Sequence, residues 1–175
     1  MCGIIGILGT QQAAPLILEG LRRLEYRGYD SAGIACLDGE TIDRRRAEGK
    51  LNALADLLDN QPLSGTAGIG HTRWATHGLP TTRNAHPHAT KNVALVHNGI
   101  IENYKELKDE LSTKGITFET ETDTEVVAQL ISHYMDEGQE PQAAVTSALS
   151  SLRGAYALAI LFAGHGNLMI GARQG

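Results

Sequence analysis

Apolar positions along this chain change period again and again, and each change marks an element. Residues 2–8 form a short run rich in Ile and Gly that predicts a buried strand. Ala14, Ile17, Leu18, Leu21 and Leu24 then recur at helical spacing, with Pro15 in the first turn and Gly28 as a stop. Residues 32–37 read as a second strand, turned by Asp38-Gly39 into a polar strand near 41–46. Leu51, Leu54, Ala55 and Leu58 mark a short helix, and 67–71 look like a strand end. A strand at 93–96 stops at His97-Asn98-Gly99, and Ile101, Tyr104, Leu107 and Leu111 trace an amphipathic helix. A brief strand is expected at 116–119. Thr122 and Glu125 form a capping box ahead of Val126, Val127, Leu130, Ile131 and Tyr134. Val145, Ala148, Leu149 and Leu152 give a further helix, and 156–162 with 168–171 a closing hairpin through Gly164 and Gly166. There is no internal repeat, low-complexity tract or linker. The pattern predicts one domain, with helices packed on both faces of a strand core.

Residues 75–92 break the pattern. They hold Gly78, Pro80, Pro87 and three histidines with few apolar side chains. Connections of this length in compact domains tend to carry function.

Composition narrows the class. At 175 residues, 42% hydrophobic and 20% charged, the chain is long enough for one ordinary core and fits a soluble globular protein. A formal net charge of -5 gives no electrostatic reason to expect nucleic acid or an anionic membrane as partner. The only tight basic run, Arg44-Arg45-Arg46, reads as a solvated strand edge. Cys2 is followed at once by Gly-Ile-Ile-Gly, with no basic region of a signal peptide. No apolar stretch approaches the ~20 residues that span a bilayer. Cys2 and Cys36 are the only cysteines, with no CxxC and no disulfide framework. These features predict a cytoplasmic protein.

Candidate chemistry sits where tidy elements are interrupted. Cys2 stands directly behind Met1; removal of Met1 would leave a thiol and a free α-amine on one residue, and the amine can serve as base for its own thiol. Cys2 could equally be a small apolar residue opening a strand. Asn98-Gly99 could be a turn, or an oxyanion hole made by a side-chain amide and a glycine N–H. Asp123 suits the positive end of a helix, and an acid there could also receive an ammonium group. Arg73 would complement it, because a guanidinium fork grips a carboxylate, so the pair suits a zwitterionic amino acid. His71, His77, His86, His88 and His97 raise the question of a metal, but neither HExxH nor paired CxxC is present and none is expected. Gly3-x-x-Gly6-x-x-Gly9 does not match GxGxxG, and there is no Walker A loop, so nucleotide binding is unsupported and no cofactor is expected.

Cys-Gly-Ile-Ile-Gly-Ile at 2–7 resembles the start of class II glutamine amidotransferases, which belong to the N-terminal nucleophile hydrolases. LEYRGYDSAG at 24–33, HTRWATHG at 71–78, NAHPH at 84–88, HNGIIENY at 97–104 and ETDTEV at 121–126 are similar to the glutamine–fructose-6-phosphate aminotransferase branch, in that branch's order. The resemblance implies an α+β fold: a four-layer αββα sandwich of two stacked, mainly antiparallel sheets. It implies that Cys2 attacks the side-chain amide of L-glutamine to form a thioester and release ammonia, with its α-amine as base. Asn98 and Gly99 would form the oxyanion hole, and Arg73 and Asp123 would bind the α-carboxylate and α-ammonium. Trp74, Thr76 and His77 would belong to a loop closing over glutamine, with Arg27 and His86 supporting the site.

It further implies that residues 1–175 are a glutaminase domain truncated at its C-terminal end. Sugar-isomerase domains carrying the fructose 6-phosphate site would follow in a homodimeric full-length enzyme of amino-sugar biosynthesis. As given, the chain could at most hydrolyse glutamine. A regulatory module that keeps the fold without turnover, or an N-terminal-Cys amidase for another amide, are the competing readings.

Overall fold

The computed structural model describes residues 2–74 and 79–175. Its strands form two separate four-stranded sheets. In the first, β1 (Gly3–Leu8), β2 (Ser31–Asp38), β3 (Thr41–Glu48) and β4 (Ala67–Arg73) lie in the order β1-β4-β2-β3. In the second, β5 (His88–Ala89), β6 (Val93–Ile101), β7 (Gly154–Phe162) and β8 (Met169–Gln174) lie in sequence order. Every ladder is antiparallel.

Helices α1 (Ala13–Leu24) and α2 (Leu51–Asn60) cover the outer face of the first sheet, where Ile17, Leu21 and Leu54 pack on Ile34. Helices α3 (Tyr104–Thr113), α4 (Asp123–Asp136) and α5 (Pro141–Ser151) cover the second, where Val127, Ile131 and Val145 meet Leu95 and Ile160. Between the sheets lies a third apolar layer of Ala35, Leu37, Ala67, Ile69, Ala94, Val96, Ala159 and Leu161. The architecture is therefore an αββα sandwich, as the resemblance implies. Periodicity alone predicts helices on both faces of a strand core, which is what is found, but it does not reveal that this core is two stacked sheets. β2 and β4 are buried on both faces, so their apolar pattern does not show that one face meets a helix and the other a second sheet.

Four local expectations also change. The strand expected to end at Val96 runs on to Ile101, so Asn98-Gly99 lies inside β6 opposite Ala157 and Tyr156 rather than in a turn, and Ile101 belongs to the sheet rather than to α3. Residues 116–119 join no sheet; Ile116 and Phe118 pack on the helical core instead. The capping box at α4 is half made. Thr122 Oγ1 accepts from the Glu125 N–H at 3.4 Å, but the Glu125 carboxylate turns to the Glu119 and Thr120 N–H groups at 2.8 and 2.6 Å.

The arginine run lies on an edge strand as expected, but it is half-buried and only partly solvated. Arg44 Nη1 donates to the Pro87 carbonyl at 3.0 Å, and Arg46 Nη1 to the Arg83 and Ala85 carbonyls, each at 3.0 Å. These bonds tie the segment before β5 to the first sheet. Gly33 completes the attachment: a Cβ there would collide with the His86 carbonyl oxygen, so a side chain would push this segment off the sheet.

Candidate active site

Side chains alternate along a strand with period two, so the inter-sheet faces can be followed from residue to residue. On β4, Ala67 and Ile69 lead to His71 and Arg73; on β6, Ala94 and Val96 lead to Asn98. Ile4 pairs with His71, which places Cys2, two residues earlier, on the same face. At one end of the sandwich the inter-sheet layer thus changes from aliphatic to polar. There it opens into a cavity of about 450 Å³ bordered by Cys2, Arg73, Asn98, Gly99 and Asp123.

Cys2 sits half-buried at its floor. The Trp74 N–H donates to Sγ at 3.2 Å, and Asn98 Nδ2 donates to the Cys2 carbonyl at 3.2 Å. Burial pushes the thiol pKa up, against the opposing pull of the Trp74 amide, so a nearby base is needed to generate thiolate.

Gly99 follows Asn98 at the cavity wall with φ +116°, a conformation that side chains rarely adopt, and a Cβ would collide with the Ala155 carbonyl oxygen. Glycine is required there on both counts.

Two opposite charges face the cavity. Arg73 is buried, and one of its Nη1 hydrogen bonds goes to the Leu79 carbonyl at 3.1 Å. Burial pulls its pKa down, Asp30, Cys2 and Asp123 counter this only in part, and the guanidinium remains cationic. Asp123 opens α4, also buried; its Oδ2 accepts the Ile101 N–H at 2.8 Å, and Oδ1 lies 3.8 Å from His97 Nδ1. One carboxylate oxygen is thus bound to the backbone of β6, which fixes the helix start against the strand carrying Asn98.

The remaining expected residues divide. Trp74 is exposed at the rim, edge-on to Tyr29 with ring centroids 5.5 Å apart, and Arg27 lines the cavity from the turn after α1. His86 reaches the cavity from the inside and bonds through Nε2 to Thr124 Oγ1 at 2.9 Å. Thr76 and His77, like Met1, lie outside the described residues.

Sequence reasoning missed the layer beneath. Thr124 Oγ1 also contacts His97 Nδ1 at 3.0 Å, and His71 stacks on His86 at 4.2 Å while its Nε2 lies 2.9 Å from Asn98 Oδ1. In the sequence, His71 and His97 invited only the metal question. The available signal was a polar residue on a face that is otherwise aliphatic. Among the described residues no group of three or more His, Cys, Asp or Glu is placed to hold a metal ion. Burial drives the His71 pKa down to about 3 and lowers those of His86 and His88 well below the usual value, so these rings are neutral.

Residues 71–174 match the family model described as a glutamine amidotransferase domain. The whole chain is 59% identical to a glutamine–fructose-6-phosphate aminotransferase [isomerizing] of Bradyrhizobium diazoefficiens, and 60% identical to that of Gluconobacter oxydans over 176 aligned residues. It spans 29% of the length of each of these relatives. Among solved structures, the glutamine phosphoribosylpyrophosphate amidotransferase of B. subtilis superposes on 99% of the chain with a TM-score of 0.85 and 31% identity; the match takes in 37% of that enzyme.

Proposed function

Because the chain belongs to the glutamine amidotransferase family, we propose that it hydrolyses the side-chain amide of L-glutamine to glutamate and ammonia through a thioester on Cys2. One observation carries this reading: a thiol, an amide donor and a buried pair of opposite charges border a single cavity. Arg73 receives the α-carboxylate of glutamine and Asp123 its α-ammonium, which leaves the side-chain amide to reach Cys2.

With Met1 removed, the Cys2 α-amine takes the thiol proton as Sγ attacks the amide carbon. The oxyanion that forms is held by Asn98 Nδ2 and the Gly99 N–H. The amine returns the proton to the departing nitrogen, and ammonia leaves as the tetrahedral intermediate collapses to the thioester. Water, deprotonated by the same amine, then attacks the thioester and releases glutamate. Trp74, Thr76 and His77 belong to the segment that covers the substrate, while Arg27 and His86 support it from the sides.

The printed names of the relatives extend the proposal. In the full-length protein, residues 1–175 act as the glutaminase part and sugar-isomerase domains receive the ammonia, converting fructose 6-phosphate to glucosamine 6-phosphate. That enzyme works as a homodimer in the cytoplasm. Among the described residues no helix is long and apolar enough to cross a membrane.

The test compares glutamine hydrolysis by the full-length protein and by its Cys2→Ala variant, with intact-mass measurement of the N-terminus. Turnover confined to a species that lacks Met1 and carries Cys2 is expected. Equal rates in the two proteins would remove Cys2 as nucleophile.

A further inference from the structure

We propose that His71 is a positioning residue that fixes which way the Asn98 amide faces, so that its N–H side is turned toward Cys2; this rests on reading Asn98 as the oxyanion donor. The reasoning starts from two backbone oxygens that can only accept. The Cys2 carbonyl lies 3.2 Å from one end of the Asn98 side chain, so that end must be the NH₂ group. Its oxygen then faces His71 Nε2 at 2.9 Å. The same Nε2 lies 3.1 Å from the His97 carbonyl, so Nε2 must carry hydrogen. A chain of fixed polarity results: His71 Nε2–H donates to Asn98 Oδ1 and to the His97 carbonyl, and Asn98 Nδ2 donates to the Cys2 carbonyl and keeps its second hydrogen on the cavity side.

The imidazole is itself held in place. It has no solvent exposure, stacks on His86 at 4.2 Å with an interplanar angle of 23°, and springs from the central strand β4 of the first sheet. Among the described residues its buried Nδ1 has no hydrogen-bond partner. Protonating that nitrogen would put a second N–H where none of the described residues accepts it, so burial keeps the ring neutral and the Nε2–H tautomer is the only one that satisfies both oxygens. If the Asn98 amide were flipped, its NH₂ would meet the His71 N–H and its oxygen would meet the Cys2 carbonyl. Both contacts would be repulsive. One buried ring on the first sheet therefore sets the electrostatic sense of a donor on the second.

A residue that acts only through an oxyanion donor affects the transition state, where the negative charge exists, and not the binding of glutamine. In the full-length protein, His71→Leu is expected to lower kcat about 100-fold with KM within about twofold. His71→Gln, whose Nε2 donor replaces that of imidazole, should recover to within about tenfold of the unaltered protein. Alkylation of Cys2 by iodoacetamide, which develops no oxyanion, should keep its rate in both variants. In an Asn98→Ala background, His71→Leu should cost less than about twofold, because its only route of action is already gone.

A full, additive loss in that background would overturn the proposal, as would unchanged kcat in His71→Leu. Should the leucine variant fail to fold, ¹⁵N chemical shifts of His71 in the unaltered protein decide the matter: protonated Nε2 and bare Nδ1 support the assignment, and the reverse tautomer overturns it. If the unaltered protein and Cys2→Ala hydrolyse glutamine equally, the functional reading fails, while the tautomer measurement stands on its own.

Discussion

The layer between the two sheets has two ends built from the same strands on the same faces. At one end Ile69, Val96 and Leu161 interlock with no solvent exposure, and the requirement on each position is volume. At the other, two to four residues along, His71, Arg73 and Asn98 occupy the equivalent positions, and the requirement is on individual atoms. Aliphatic packing tolerates a repacked neighbour. A hydrogen-bond chain of fixed polarity does not tolerate an inverted amide. The site is thus a continuation of the core in which period two is kept and the residue type changes.

The sharpest way to break this comparison is to truncate one residue at each end. Ile69→Ala should lower unfolding free energy by about 2–5 kcal/mol in chemical denaturation, through lost burial and the cavity left behind, with kcat retained where the protein remains folded. Asn98→Ala should do the opposite, lowering kcat for glutamine hydrolysis about 100- to 1000-fold with little change in the denaturation midpoint. Loss of both properties in either variant would show that the two ends are not separable.

The sequence reveals these ends unequally. Ile17, Leu21 and Leu54, or Val127 and Ile131, announce their helices because each helix has a polar side for contrast. The central strands have none: β2 and β4 are buried on both faces, so the stacking of two sheets enters the expectation only through family resemblance. Asn98-Gly99 looks like a turn because Gly99 needs positive φ, a demand that a turn and this site in β6 share. Cys2, Arg73 and Asp123 stand out by chemical type. The hydrogen bonds from His71 to Asn98, or between Thr124 and two imidazoles, join segments 27 to 38 residues apart and leave no local signature.

A smaller effect sharpens the division within the polar end. Asp123→Asn keeps an oxygen for the Ile101 N–H, so the start of α4 should hold and the denaturation curve should move little. What it removes is the charge available to a substrate ammonium. KM for glutamine should rise about 10-fold or more, the equivalent of a charge-assisted hydrogen bond, with a smaller change in kcat. A change in kcat alone would place Asp123 in the chemistry rather than in binding.

Thr124→Val tests the support beneath. Valine matches threonine in shape but leaves His86 Nε2 and His97 Nδ1 without the hydroxyl they share. The expected cost is about 1–3 kcal/mol of stability, read by denaturant titration, for leaving buried polar atoms unsatisfied. A neutral result would mean that the two imidazoles find other partners.

The mildest perturbation is pH. His71 in the folded protein has a pKa of about 3 against ~6.5 for an unfolded histidine, and burial shifts His86 and His88 in the same direction. Below ~6.5 the unfolded chain therefore binds protons that the folded one refuses, so stability falls as pH falls, and for His71 the loss stops growing below about 3. Between pH 7 and 6 the loss is below about 1 kcal/mol for each imidazole, because only the unfolded state titrates there. The aliphatic end contains nothing that titrates. Ile69→Ala should therefore displace the stability–pH curve downward without changing its slope, whereas His71→Leu should flatten it between pH 4 and 6.5. Parallel curves for the two variants would mean that the acid sensitivity of the fold arises somewhere other than His71.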